Sequence, residues 1–169
     1  MESTTAFIAL GSNLGDRASI LQSAIKSLRE RAHVMVQRVS SVYETDPVGP
    51  AGQGLFLNAA AAIQTTLTAR ALLDVLLDVE RLHGRVRSDV ARWGPRRLDL
   101  DLLLHGDLIV DEPGLTLPHS HLHERLFVLV PLAEIAPHVL HPVLGRSVRE
   151  LCDQMIQESG EIGCVRAVL

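Results

Sequence analysis

The run Arg92-Trp-Gly-Pro-Arg-Arg-Leu-Asp-Leu-Asp-Leu-Leu-Leu104 sets leucine and aspartate in strict alternation from Leu98 to Leu102. Such alternation is the mark of a strand whose neighbouring side chains go to opposite faces. Leu98, Leu100 and Leu102 share one face and require a core. Asp99 and Asp101 share the other, with Cα atoms roughly 6.5 Å apart at ~3.3 Å rise per residue. Two carboxylates so placed repel each other unless they are solvated, paired with arginine, or bound to shared divalent cations. On the aspartates alone, a solvated face paired with arginine is the simpler account. With phosphate oxygens and water as further ligands, the same pair makes an octahedral magnesium site, or a clamp for two ions.

The flank holds Arg85, Arg87, Arg92, Arg96 and Arg97. A charge run is ordinarily a solvated loop. Ahead of a two-carboxylate strand it also supplies what polyphosphate transfer needs, since arginines stabilise the charge that develops on the moving group. Trp93, between Arg92 and Gly94-Pro95, is either a loop anchor or part of a flap that covers substrate and excludes water.

Around this strand the pattern is orderly. Thr5–Leu10 reads as a buried strand, Gly11 to Gly15 as a turn, and Asp16 as the cap of a helix with Ile20, Leu21, Ala24, Ile25 and Leu28 on one face. Val34–Tyr43 reads as one strand, Asp46 to Leu55 as a long Gly/Pro loop, and Phe56–Thr66 as another strand. Thr68 caps a second helix that carries Leu72, Leu73, Leu76, Leu77 and Leu82 and stops at Gly84. Arg85–Arg97 is a charged loop, Leu98–His105 a strand, and Gly106-Asp107 a turn toward Leu108–Val110. Pro118 to Arg125 is a His-rich connection, Phe127–Glu134 an apolar element of either type, and Ser147–Glu158 a final helix. The order β-α-β-β-α-β with a C-terminal addition predicts an α+β, ferredoxin-like fold: a largely antiparallel sheet with helices on both faces, three layers in all, formed by one domain over 1–169. The loops at 46–55 and 85–97 are longer than packing requires, as functional loops often are.

Composition narrows the function classes. Hydrophobic residues make up 47% and aromatics 3%, so the core is aliphatic and each of Phe7, Tyr43, Phe56, Trp93 and Phe127 invites a reason. The net charge of −4 gives no basic footprint for nucleic acid. Lys26 is the sole lysine, so recognition of anions falls to guanidinium groups. Cys152 and Cys164 have neither metal nor disulfide-framework spacing and are expected as reduced thiols. No signal peptide or membrane span is legible, which predicts a cytoplasmic protein. His119, His121 and His123 form an HxHxH run, a zinc pattern on a strand but a scattered set on a loop after Pro118. Ser12 and Asn13 sit in a Gly-flanked turn without a P-loop Lys and are expected to be structural.

Several segments together resemble the 6-hydroxymethyl-7,8-dihydropterin pyrophosphokinase family of folate synthesis. They are Phe7-Ile-Ala-Leu-Gly-Ser-Asn-Leu-Gly15, Ser41-Val-Tyr-Glu-Thr-Asp-Pro-Val-Gly-Pro50, Phe56-Leu-Asn-Ala59, Glu80, Gly84-Arg-Val-Arg87, Arg92 to Leu103, Leu117-Pro-His119, Arg125 and Phe127. Their order and spacing hold from about residue 7 to residue 151. The resemblance implies transfer of pyrophosphate from ATP to the pterin hydroxymethyl group, with two Mg2+ ions on Asp99 and Asp101. It implies pterin contacts at Thr45, Pro47, Val48, Phe56, Asn58 and Phe127. It implies ATP contacts at Glu80, Arg85, Arg87, Arg96, Leu102, Thr116, His119 and Arg125, with Arg87 and Arg96 acting on the transferring phosphates and Arg92 and Trp93 in a mobile flap. The chemistry is consistent: two rings can sandwich a flat heterocycle, and an Asn amide can both donate to and accept from its edge. Phe56 stands where members often carry Tyr, Ser120 where an aromatic is frequent, Asp46 where proline is common, and Leu77 and Gly114 where some members contact ATP. A monomer acting on small molecules is expected, with no nucleic acid or membrane partner. The alternative is a non-enzymatic module of the same fold that binds nucleotide or pterin without turnover.

Overall fold

The structure is a computed structural model that describes residues 2–84, 95–160 and 164–166. The elements in order are β1 (Thr4–Ser12), α1 (Arg17–Arg29), β2 (Val34–Val39), β3 (Tyr43–Thr45), β4 (Phe56–Thr65), α2 (Ala69–Leu82), β5 (Asp99–His105), β6 (Val110–Glu112), β7 (Leu115–Leu117), a 3-10 turn at Leu122–Glu124, α3 (Leu126–Ile135), α4 (Val148–Ser159) and β8 (Cys164–Arg166). The main sheet runs β5-β1-β4-β3-β8, with β2 also on β4, and its recorded pairings are all antiparallel. It has helices on both faces, the three-layer α+β arrangement expected for a ferredoxin-like core.

Alternation sorts the strand residues between the two faces. Ala6, Ile8 and Leu10 of β1, Leu57, Ala59, Ala61 and Ile63 of β4, and Leu100 and Leu102 of β5 pack against α1 and α2. Leu98, just ahead of β5, joins them and is fully buried. Phe7, Ala60, Ala62 and Leu104 face the other way, into a second cluster with α3 and α4. The helices start where their caps are: Asp16 accepts the Ser19 N–H (3.1 Å), Thr68 accepts that of Ala71 (3.2 Å), and Ser147 forms a capping box with Glu150. Gly84, at φ +83°, ends the α2 region in the left-handed conformation.

The structure departs from the sequence expectation at several points. β1 runs through Gly11 to Ser12, because these residues still pair with Asn58 and Leu57 across the ladder. The segment 34–43 is two strands, broken where the Ser40 hydroxyl takes the Ala60 N–H (2.9 Å). Leu82 is 69% exposed, at the end of α2, where the helix overruns the core. The hairpin after β5 uses Val110–Glu112 and Leu115–Leu117 around Gly114 (φ +77°), so its second strand was missed and its first begins later. The apolar element near 127 is helix α3, with Pro131 inside it. β8 adds an unforeseen strand to β3.

Two polar contacts close the outer edge of β5. The Leu100 N–H is taken by the Glu80 carboxylate from α2 (2.8 Å), and the Leu103 carbonyl accepts the His119 N–H (2.9 Å). No helix among the described residues is long and apolar enough to cross a membrane.

Candidate functional site

The second sheet face is covered by α3 and α4 for only part of its length. Where the cover stops, β1 presents Ala9 and Gly11, β4 presents Phe56 and Asn58, and β5 presents Asp99 and Asp101. These side chains line a cavity of about 300 Å³. Its remaining wall includes Thr45, Asp46 and Val48 from β3 and the loop after it, Arg96 from ahead of β5, and His119, His121, Arg125 and Phe127 from β7 to α3.

The wall is held from several sides. The Asn58 amide donates to Thr45 Oγ1 (2.7 Å), across paired strands. Gly11 lies against the same amide, and a Cβ there would stand 3.1 Å from Asn58 Oδ1 and 3.7 Å from the Phe56 ring. Arg17 fixes both ends of the loop over the cavity, donating to the Leu55 carbonyl (2.7 Å) and to Glu44 (2.9 Å). Glu134 of α3 accepts the Ser41 N–H (2.9 Å) and hydroxyl (3.0 Å) and the Tyr43 hydroxyl. That clasp sets α3, and so Phe127, against the sheet.

Arginines and carboxylates share the cavity wall. Arg96 Nη1 donates to Asp99 Oδ2 at 3.0 Å. Arg125 stacks its guanidinium 5.6 Å from the Phe127 ring centroid. Burial lowers Arg125 below the usual guanidinium value, and Asp101 and Asp99 pull it back up. Burial, then the charges of Arg125 and His121, push His119 down to about 4, against a smaller upward pull from Asp99. The ring is therefore neutral at pH 7. Its Nδ1 accepts the His121 N–H (3.2 Å), which assigns the proton to Nε2 and makes that nitrogen a donor.

The two aspartates fit a hard divalent cation. They share a sheet face, they open on one cavity, and they offer carboxylate oxygens only. Among the described residues no three His, Cys, Asp or Glu side chains gather as a metal cage. The donor set is the kind a magnesium ion uses when phosphate oxygens and water complete its shell.

The structure brings together Thr45, Val48, Phe56, Asn58, Arg96, Asp99, Asp101, His119, Arg125 and Phe127 of the residues the sequence singled out. Pro47 lies beside the cavity residues Asp46 and Val48 without lining the wall. Three others stand apart. Leu102 is 4% exposed in the core beneath the sheet, so its side chain cannot reach the cavity. Thr116 is on β7 and donates to Asp111 (3.2 Å). Glu80 is no exposed helix carboxylate: it is 2% exposed and bound to the β5 backbone. Arg85, Arg87, Arg92 and Trp93 lie outside the described residues. The three histidines diverge, with His119 and His121 at the cavity while His123 meets the edge of His141 at 5.7 Å. Asp46 and Ser120, noted as departures from the family pattern, also line the cavity, and Gly11 and His121 line it without having been singled out for it. Gly11 was missed because the strand was expected to end at Leu10, whereas β1 runs on and pairs Gly11 with both Asn58 and Asp99.

Known proteins resemble the chain in sequence and in fold. A family model described as 7,8-dihydro-6-hydroxymethylpterin-pyrophosphokinase matches residues 7–137. A Bacillus subtilis protein named 2-amino-4-hydroxy-6-hydroxymethyldihydropteridine pyrophosphokinase is 48% identical over 134 residues, covering 79% of each chain. A Methylorubrum extorquens protein of the same name is 46% identical over 147 residues, covering 87% of this chain and 90% of its own. A crystal structure of wild-type Plasmodium falciparum HPPK-DHPS with pteroate superposes with TM-score 0.76 at 15% identity, over 99% of this chain and 46% of that one. That likeness is one of fold, and this chain spans about half of the longer protein. Most of the chain lies inside the matched region, and it is 46–48% identical to relatives over most of their length, so it belongs to the 7,8-dihydro-6-hydroxymethylpterin-pyrophosphokinase family.

Proposed function

We propose that the chain transfers pyrophosphate from ATP to 6-hydroxymethyl-7,8-dihydropterin, giving the pterin diphosphate and AMP, with Asp99 and Asp101 holding Mg2+. One observation supports it above the others: the paired carboxylates open on the same cavity as Phe56, Asn58 and Phe127. A flat, hydrogen-bonding ligand and a metal-bound polyphosphate can thus meet there.

The pterin lies between Phe56 and Phe127, and its edge reads Asn58 and Thr45. The triphosphate enters from the arginine side. Arg96 and Arg125 carry the positive charge that meets the phosphates, and the neutral His119 ring donates from Nε2. Thr116 meets the nucleotide outside this cavity, and Glu80 and Leu102, whose side chains are buried, serve it only through the backbone of β5. Arg85, Arg87, Arg92 and Trp93 serve as the flap and its phosphate contacts. Bound magnesium, as two ions on Asp99 and Asp101, supplies charge neutralisation and makes the hydroxymethyl group a better nucleophile. The hydroxymethyl oxygen attacks the β-phosphorus in line, and AMP leaves. The protein works as a cytoplasmic monomer on these small molecules, without nucleic acid.

The test is direct. Protein incubated with Mg·ATP and the hydroxymethylpterin should release AMP and pterin diphosphate in equal amounts. Binding of both ligands without AMP would instead identify a non-enzymatic module.

A further inference from the structure

We propose that Asn13 is a positioning residue that fixes the backbone of Arg96 and ties it to the loop bordering the pterin side of the cavity. The proposal rests on the role given above to Arg96. Asn13 directly follows the last ladder pair of β1, Ser12 with Leu57, and is 5% exposed. Both main-chain polar groups of Arg96 end on it. The Asn13 N–H donates to the Arg96 carbonyl (3.0 Å), and Asn13 Oδ1 accepts the Arg96 N–H (2.7 Å). The amide nitrogen of the same side chain turns the other way and donates to Gln53 Oε1 (3.3 Å) and to the Gly54 carbonyl (3.4 Å).

One side chain therefore touches two segments 40 residues apart or more. Gln53 and Gly54 close the loop that carries Asp46 and Val48 on the cavity wall. Arg96 carries the guanidinium bound to Asp99. Only an uncharged amide meets the demand at this point, with one acceptor for Arg96 and two donors for the loop. Aspartate keeps the acceptor and loses the donors, and alanine loses both. Movement of the loop is passed to Arg96 through a residue that contacts neither ligand.

The test uses Asn13→Ala and Asn13→Asp in the full chain. Asn13→Ala should lower kcat about tenfold or more while KM for ATP changes less than about threefold. Added to Arg96→Ala, it should cost less than about twofold more, because it acts through that residue. Its Arg96 amide should exchange with deuterium at least about tenfold faster than in the wild type, with no ligand present. Asn13→Asp retains the Arg96 acceptor and keeps that protection, and it serves if the alanine variant does not fold. It should weaken pterin binding, measured with a non-hydrolysable ATP analogue present, by several-fold. Wild-type kcat in Asn13→Ala, full independence of the two alanine substitutions, or unchanged exchange at Arg96 would overturn the proposal. A wild-type protein that releases no AMP would overturn the reaction instead, and the exchange measurement would still decide on Asn13.

Discussion

Gly11 stands opposite Asn58 across the β1–β4 ladder, so close that any side chain on the glycine would press on the amide oxygen at 3.1 Å. That contact is tighter than ordinary van der Waals separation, and Asn58 is held on its other side by Thr45. Gly11→Ala should displace the amide and weaken pterin binding by about tenfold, which is ~1.4 kcal/mol. Affinity for an ATP analogue should hold. Fluorescence titration of the pterin checks the first, and calorimetry the second.

Asp99→Ala and Asp101→Ala should each cut AMP release by about 1,000-fold or more, in line with removal of a metal carboxylate from a charge-stabilising site. Both side chains face the cavity rather than the core, so thermal melts should stay within a few degrees of wild type. A folded double variant with near-normal turnover would refute the metal role.

Arg96 and Arg97 are neighbours with opposite placement. Arg96 lines the cavity and binds Asp99, whereas Arg97 lies near Gly15 and Gly84, away from it. Arg96→Ala should reduce kcat by about 100-fold or more with a smaller change in KM, and Arg97→Ala should stay within about threefold of wild type. Steady-state rates over ATP concentration separate the two.

The His119 ring titrates near 6.5 when unfolded and at about 4 in the fold. Between those values the unfolded chain holds the extra proton, so stability falls as pH drops through that window. Above 6.5 neither state is protonated and the penalty is absent. Its full size below 4 is at most about 3 kcal/mol, reduced by the partial exposure of the ring. His119→Gln should therefore lose less stability than wild type between pH 7 and pH 5, as read from denaturant melts.

Glu80→Ala removes the acceptor for the buried Leu100 N–H and should cost about 1–3 kcal/mol. Glu80→Gln keeps an acceptor oxygen and should cost less. Comparing the two melts isolates the structural contact from any effect on ATP affinity.

Most of the sheet was legible, β1 and β4 as apolar runs buried on both faces and β5 by its alternation. Leu98, Leu100 and Leu102 went to the core and Asp99 and Asp101 to the cavity as period two requires. The caps at Asp16 and Thr68 were legible as local patterns completed within a few residues, whereas Ser147, read as the first residue of its helix, is its cap. Phe127 was harder. Its segment is apolar throughout, so periodicity could not choose helix over strand, and Pro131 argued against the helix that forms. The β6–β7 hairpin is short and half exposed, which leaves little alternation to read. Asn13 was passed over as part of a turn because its partners at 53, 54 and 96 are distant in sequence. Glu80 was legible only as a helix residue. Its burial depends on how α2 meets β5, which no local pattern encodes.

Glu80 and His119, which cap the outer side of β5, have a consequence for how the chain survives its own folding. β5 ends the sheet, and an uncovered end strand is a template for another chain to add to. With the Leu100 amide and the Leu103 carbonyl already bonded, a foreign strand finds no complete row of partners. The same two contacts oppose sliding along β1, where a shift of one residue would turn both acids inward and three leucines outward. The segment that carries Asp99 and Asp101 is thus also guarded against misalignment and against recruitment into aggregates.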